Sequence, residues 1–132
     1  DLTWNRQAAA AAELARVFDG MGINSLLFAP PAEPVRTILD YLVAQADEAI
    51  CPSDCETRTF LHDLPVVREF SAPALLAALR RRKCAIVPGY GVVTFGAVSP
   101  EQTFVVFSSV CFAVTVKFLA DYLQAVPVHA AA

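Results

Sequence analysis

The sequence predicts an α/β fold in a single domain that spans residues 1–132. Stretches with apolar residues three and four positions apart, a spacing typical of helices, alternate with short apolar runs bounded by proline or glycine, which are typical of strands. No linker and no internal repeat divides the chain. With 56% hydrophobic and 17% charged residues, the chain has enough apolar surface to bury a core of its own.

Two helices and two strands are predicted in the first half of the chain. An alanine-rich helix is expected over Asn5–Phe18, where glycines end it. The apolar run Ser25–Ala29 predicts a strand, because prolines follow it and cannot continue a ladder. A second helix is predicted over Pro34–Ala46, whose apolar residues fall on one helical face. A short strand at Glu48–Cys51 should lead into a polar loop that contains Asp54.

The second half predicts a strand, a helix, a pair of strands and a last helix. Pro65–Phe70 is read as a strand, and Ser71 is suited to cap the helix that follows. The runs Cys84–Val87 and Val92–Phe95 predict two strands joined by a tight turn. Ser99 caps the last helix, and this cap favours a helix over a strand in a segment rich in valine and phenylalanine.

The last helix is apolar nearly all round from Thr103 to Leu119, which predicts burial on more than one side. Its uninterrupted apolar part, Phe104–Val116, is shorter than the roughly 20 residues of a membrane span. We therefore expect no membrane partner. The low charge and the mean hydropathy of +0.50 suggest that other subunits or a ligand cover part of the surface, and we expect a homo-oligomer.

Charge and cysteine content bear on partners and compartment. The chain has 10 Lys+Arg and 13 Asp+Glu, a net charge of -3, so it lacks the dense basic face that nucleic-acid binding requires. The run Arg80–Lys83 is open to two interpretations, a solvated helix end or a patch for an anionic ligand. Four cysteines do not form a dense disulfide framework, which favours the cytoplasm.

The order of motifs around Tyr90 resembles the C-terminal part of the class II aldolase and adducin family. Ala85–Gly96 has a strand, a turn with glycines on both sides of Tyr90, a second strand and a glycine before a capped helix. Pro30–Glu33 resembles the Pro-Ser-Ser-Glu segment of the family, and Ala49–Ser53 falls where the family has a strand ending in His-x-His. The resemblance implies a three-layer α/β/α fold with a central mixed β-sheet, in a subunit that forms oligomers.

The resemblance also implies a site, and the residues at its metal positions have changed. The family holds a divalent metal, usually zinc, with the His-x-His pair and a histidine of the turn. Here those positions are Cys51, Ser53 and Tyr90, so we expect no metal and no other cofactor, and a remnant pocket lined by these three residues. Glu33 falls at the position of the catalytic acid/base, where it could also be a first-turn acid stabilised by the helix dipole.

Two functions follow from this comparison. The first is a degenerate, non-catalytic binding or regulatory protein that retains the scaffold and could bind a small-molecule ligand. The alternative is a small lyase or isomerase that acts on a sugar phosphate or related carbonyl compound, with Glu33 as acid/base and a zinc or other divalent ion bound in an altered way. The loss of the metal histidines favours the first.

Other chemistry-bearing residues leave alternatives open. Gly22–Ser25 loosely resembles the phosphate-binding loop of the family, but a short Gly/Asn turn explains the same residues. His62 beside Asp63 is either a surface loop histidine or a general base. Cys51 and Cys55 are four residues apart. This spacing is a weak indication of a metal-binding or redox pair, and two ordinary unpaired cysteines explain it equally well.

Overall fold

A computed structural model describes residues 8–126, in which five helices alternate with five strands. The elements are α1 (Ala8–Asp19), β1 (Ser25–Ala29), α2 (Val35–Gln45), β2 (Ala49–Ile50), α3 (Cys55–Leu61), β3 (Leu64–Pro65), α4 (Ala72–Leu79), β4 (Cys84–Val87), β5 (Gly91–Gly96) and α5 (Pro100–Ala125). The α/β class is therefore confirmed. The predicted start of the first helix, Asn5, lies outside the described residues.

The strands form two antiparallel sheets joined by one bridge. β5 lies between β1 and β4, with Leu27 opposite Thr94 and Ile86 opposite Val92. β2 pairs with β3, with Ile50 opposite Leu64. A single parallel bridge between Val66 and Ile86 links the two sheets. The resemblance implied a sheet with both parallel and antiparallel pairs. In the described chain, this bridge is the only parallel pairing.

Two apolar clusters divide the side chains of β4 between them. Cys84 and Ile86 belong to a cluster built with α2, α3 and α5. Ala85 and Val87 belong to a second cluster built with α1 and α4. Successive side chains of a strand point to opposite faces, so a strand with four consecutive buried residues requires apolar cover on both.

The prediction of a polar loop around Asp54 is wrong, because α3 begins there. The side chain of Asp54 accepts a hydrogen bond from the backbone N–H of Thr57 at 2.9 Å, which is the contact of an N-cap residue. Leu61, at the other end of α3, is only 1% exposed. The helix has seven residues, too few for a helical period to be recognised in the sequence.

The strand predicted over Pro65–Phe70 is shorter than expected. The backbone N–H of Val66 donates to the carbonyl of Glu48 at 2.8 Å, and that of Val67 donates to the carbonyl of Ile86 at 2.8 Å. The segment therefore changes partner from the β2 side to β4 within two residues. A regular ladder cannot continue through such a change.

Within a single chain α5 is buried on one side, and burial on a second side stays a prediction that depends on other subunits. Val106, Val110 and Val114 face the first cluster and are at most 4% exposed. The opposite side has large exposed residues, including Phe104 at 61% and Leu123 at 67%. One sheet face and α2 cover one side of this helix, and within the described residues the exposed side has no cover.

By length and composition alone, α5 could cross a membrane. It has 26 residues, and its most apolar 18-residue window has a mean hydropathy of 2.0, so it is longer than the apolar segment recognised in the sequence. A core helix of a soluble protein can have the same properties. Because one face of α5 packs on β5, β1 and α2 in this fold, the helix is a structural part of the core.

Candidate functional site

A cavity of about 40 Å³ lies between the start of α2 and the turn that joins β4 to β5. Its polar lining comes from Arg36 and Asp40 of α2 and from Tyr90 of the turn. Pro30 and Pro31 close the side toward β1. The remaining lining includes Leu39, Val43, Ile86 and Val87, and backbone of the turn.

Tyr90 is held at the edge of this cavity by the turn and by a stacked ring. Its backbone N–H donates to the carbonyl of Val87 at 3.0 Å, and Gly89 on one side has a φ of +78°, which favours glycine. The Tyr90 ring stacks on Phe70 with centroids 5.0 Å apart and planes 20° apart. Half of the residue remains exposed, at 51%.

Glu33 lies just before α2 and uses its carboxylate locally. Oε2 accepts hydrogen bonds from the Thr37 hydroxyl at 2.7 Å and from the Thr37 backbone N–H at 3.3 Å. Glu33 is exposed and is not among the residues that line the cavity. Glu33 precedes the N-cap Pro34 of α2, so these contacts are those of an acid next to the helix N-terminus, close to the second interpretation that the sequence left open.

Cys51 and Ser53 are exposed in the loop between β2 and α3, and neither lines the cavity. Of the four residues assigned to the site from the sequence, the structure therefore brings Tyr90 to this cavity and leaves Glu33, Cys51 and Ser53 outside its lining. Their shared role in one pocket stays a prediction.

The side chains at the three positions that the resemblance assigns to the metal do not fit zinc. A structural or catalytic zinc site uses thiolate, imidazole or carboxylate ligands. Cys51 offers one such donor, whereas Ser53 offers a neutral hydroxyl and Tyr90 a phenol, which is outside this ligand set. Within residues 8–126, no group of three His, Cys, Asp or Glu side chains is arranged to hold a metal ion.

Arg36 and Asp40 are cavity residues that the sequence reasoning missed. They are one helical turn apart on α2, so they share a face of that helix. Opposite charges at this spacing are common on solvated helices. This pair of charges indicates a site only because the turn that contains Tyr90 faces the same side of α2. The sequence alone does not show that contact.

The polar side chains of Gly22–Ser25 are used inside the fold. The Asn24 side-chain amide donates to the carbonyl of Val98 at 3.4 Å. The Ser25 hydroxyl donates to the carbonyl of Ser99 at 3.0 Å and also hydrogen-bonds to the Thr103 hydroxyl. These bonds attach the beginning of α5 to β1, which favours the turn interpretation of this segment over a phosphate loop.

Buried and exposed cysteines differ in chemistry. Cys84 is fully buried in the first cluster, and burial, with a smaller effect of the Asp63 charge, raises the pKa of its thiol to about 12. Cys51 and Cys55 are exposed free thiols. Because the thiolate is the reactive form, Cys84 is inert in the folded protein.

Asp54 caps the N-terminus of α3, and its pKa is lowered. The hydroxyl and the backbone N–H of Thr57 both donate to its carboxylate, and these bonds lower the pKa of Asp54 in the folded protein. Hydrogen bonds to the charged form favour that form. The stabilisation is therefore complete above the ordinary aspartate pKa of about 3.9 and is lost as the pH falls through the lower pKa of the folded state.

We expect Asp54→Ala to lower the free energy of unfolding by about 1 kcal/mol at pH 7, because α3 loses its N-cap. The difference from the wild type should shrink as the pH is lowered below about 3.9. Urea titrations at both pH values measure it. Asp47→Ala removes an exposed aspartate and should stay within about 0.5 kcal/mol of the wild type. A loss in Asp54→Ala that does not change with pH would contradict the assignment.

A solved structure of known fold matches nearly the whole chain. The structure of L-fuculose-1-phosphate aldolase from Thermus thermophilus superposes with a TM-score of 0.78 and 16% sequence identity, over 98% of this chain and 70% of that chain. The chain has a class II aldolase fold. No family model matches the sequence, and no curated protein matches it either.

The class II aldolase fold agrees with the family that the motifs around Tyr90 resemble. At 16% identity the similarity concerns the path of the chain and not the chemistry of the site. The function of this protein must therefore be argued from its own residues.

Proposed function

We propose that this protein is an oligomeric, non-catalytic binding or regulatory protein on a three-layer, class II aldolase/adducin-like scaffold. The observation that carries the proposal is the set of side chains at the family metal positions. Cys51, Ser53 and Tyr90 supply one good zinc ligand among three, and a metal that polarises the substrate carbonyl contributes several kcal/mol to such a reaction. Free thiols at all four cysteines are compatible with the cytoplasm.

The volume of the cavity beside Tyr90 supports a role without turnover. At about 40 Å³ it has room for about three or four water molecules, at roughly 10–15 Å³ each. Pockets that bind organic ligands typically measure about 300–1,000 Å³. A small molecule could enter here only if the turn or the start of α2 moved.

The acid/base position supports the same proposal. The Glu33 carboxylate accepts two hydrogen bonds from Thr37 of the adjoining helix α2, and it is exposed to solvent. A general base would instead be within hydrogen-bond reach of a substrate pocket. Glu33 stabilises the beginning of α2.

Assembly is the second part of the proposal, and it rests on the exposed side of α5. Six large residues on this side, which we call the α5 stripe, are 49% to 67% exposed: Phe104, Val105, Phe112, Leu119, Tyr122 and Leu123. They span about 30 Å at 1.5 Å per residue. No charged residue interrupts the stripe, although Lys117 and Asp121 pair elsewhere on the same helix.

A second copy of the chain is the occupant we assign to the α5 stripe. The stripe exposes on the order of 600 Å², given about 150–250 Å² for each aromatic side chain, which exceeds the largest patch of many monomers. A standard interface buries about 800 Å² per partner, so the stripe with its rim is large enough. A continuous apolar helix face can pack on itself about a two-fold axis.

The absence of catalysis is tested by metal content and by a variant of the acid/base position. After expression with added zinc and dialysis, the purified protein should retain far less than one zinc per chain, and it should not cleave L-fuculose 1-phosphate. The variant with Cys51→His, Ser53→His and Tyr90→His together is the positive control for zinc uptake. Stoichiometric zinc in the wild type, or a cleavage activity that Glu33→Gln abolishes, would overturn the proposal.

A further inference from the structure

A second cleft lies at the ends of α3 and α4, away from the cavity beside Tyr90. Its volume is about 250 Å³. The rim consists of the run Arg80–Lys83 and His62, and we call these five residues the basic rim. The floor is apolar and comes from Leu61, Leu79 and Phe95.

The basic rim is strongly positive in a protein of net charge -3. Four of the 10 Lys+Arg residues are consecutive here. Among the ion pairs formed within residues 8–126, only the pair between Arg82 and Asp63 involves this run. Arg80, Arg81 and Lys83 therefore contribute three positive charges that no carboxylate of the described chain neutralises.

Two of the cations are fixed in position by neighbouring groups. Arg82 donates to both carboxylate oxygens of Asp63, from Nε at 2.9 Å and from Nη2 at 3.3 Å. The Lys83 ammonium donates to the carbonyl of Phe60 at 2.9 Å and lies 3.9 Å from the centre of the Phe60 ring. A guanidinium has five N–H donors, so Arg82 retains donors for a ligand. Fixed cations lower the entropy cost of binding.

We propose that this cleft binds a phosphate monoester of a small organic molecule. Unpaired arginine and lysine side chains match the charge and the acceptor oxygens of a phosphate group. Leu61 and Leu79 are almost completely covered by the protein, so the half-buried ring of Phe95 is the apolar surface that the cleft offers. Such a ring suits a short carbon body better than a bare ion. The volume is just below the range of about 300–1,000 Å³ for drug-sized ligands, so a compact ester fits.

This assignment is independent of the proposed loss of catalysis, because none of Glu33, Cys51, Ser53 and Tyr90 lines the cleft. A duplex or a long single strand is a poorer match. Nucleic-acid sites extend a basic face along many phosphates, whereas this one is confined to the end of a single helix. The ligand we assign is therefore a small phosphorylated metabolite.

The test uses isothermal titration of the full chain with glycerol 3-phosphate, inorganic phosphate and glycerol. We expect saturable binding of glycerol 3-phosphate, weaker binding of inorganic phosphate, and none of glycerol. Arg80→Glu should weaken the binding of the ester by about tenfold or more. Arg80 is exposed, and no side-chain hydrogen bond holds it within the described residues, so this variant should fold, as its thermal unfolding will show.

Arg16→Glu is the matched control, because it reverses the charge of an exposed arginine of α1 that lines neither the cleft nor the cavity beside Tyr90. It should leave the affinity for the ester within about twofold of the wild type. Absence of saturable binding, or equal weakening in both variants, would overturn the proposal. Binding to vesicles that contain phosphatidylinositol 4-phosphate without binding of the free ester would also overturn it, because the ligand would then be a lipid headgroup.

Discussion

Replacing Gly91 with alanine should lower the free energy of unfolding by about 3 kcal/mol or more. Gly91 begins β5 with a φ of +153°, a conformation that costs other residues about 1–3 kcal/mol. A Cβ atom there would lie 2.7 Å from the carbonyl carbon and oxygen of Ala29 and 2.8 Å from the nitrogen of Pro30. Backbone atoms cannot yield as a flexible side chain can, so β1 would have to separate from β5.

Two other glycines separate the conformational cost of the substitution from the cost of the steric clash. Gly89 has a φ of +78° and open space around its Cβ position, so Gly89→Ala should cost only the conformational part, about 1 kcal/mol. Gly22 has open space and no positive φ, and Gly22→Ala should be within about 0.5 kcal/mol of the wild type. Urea unfolding of the three variants measures the series. Equal losses in Gly91→Ala and Gly89→Ala would contradict the proposed clash.

The consequence of Gly91→Ala extends to the cavity beside Tyr90. Gly91 itself lines that cavity, as do Pro30 and the residues of the turn. The two backbones approach closely at this point of the cavity lining. A glycine here is therefore explained by packing, and it needs no role in binding or catalysis.

Introducing a charge into the α5 stripe should dissociate the protein. We expect the wild type to be an oligomer at micromolar concentration, and Phe112→Glu with Leu119→Glu to be a monomer with unchanged helical content. Both residues are about half exposed, at 52% and 49%, so the substitutions spare the core. A buried, unpaired carboxylate costs several kcal/mol, and a loss of about 2.7 kcal/mol already weakens the dissociation constant 100-fold.

Light scattering after size exclusion measures the subunit number of these variants. Gln124→Glu adds the same kind of charge to the same helix, but its position, five residues after Leu119, falls off the α5 stripe at about 100° per residue. This control should remain an oligomer. A monomeric wild type would exclude self-association through the α5 stripe. Flotation of the wild type with liposomes would instead indicate that the stripe contacts lipid.

Local chemistry explains which elements could be predicted. Ser25–Ala29 was predicted with its bounds, because prolines follow the strand directly. Ser71 and Ser99 were recognised as caps, and both side chains accept a hydrogen bond from the backbone three residues ahead. For α5 this cap correctly outweighed the strand-like composition. The helix α3 was missed because its evidence, the cap at Asp54, stands beside only seven helical residues.

The site was less predictable than the fold, since it depends on which elements meet. The resemblance correctly led to a class II aldolase fold, and Tyr90 does line a cavity. No motif suggested Arg36 and Asp40. A pair of opposite charges on a helix indicates a site only when another element of the fold packs over it. The arginines of the basic rim were recognised in the sequence, but the apolar floor beneath them became visible only in the structure.

The sequence by itself determined the turn around Tyr90 and the order of the helices and strands other than α3, because each depends on residues that are close along the chain. The tertiary structure alone decided how much of α5 is covered. The sequence shows that α5 is apolar on nearly every side. How much of its surface is buried depends on how many layers of structure pack against it. Here one layer does, and the uncovered side becomes the surface through which we expect the protein to assemble.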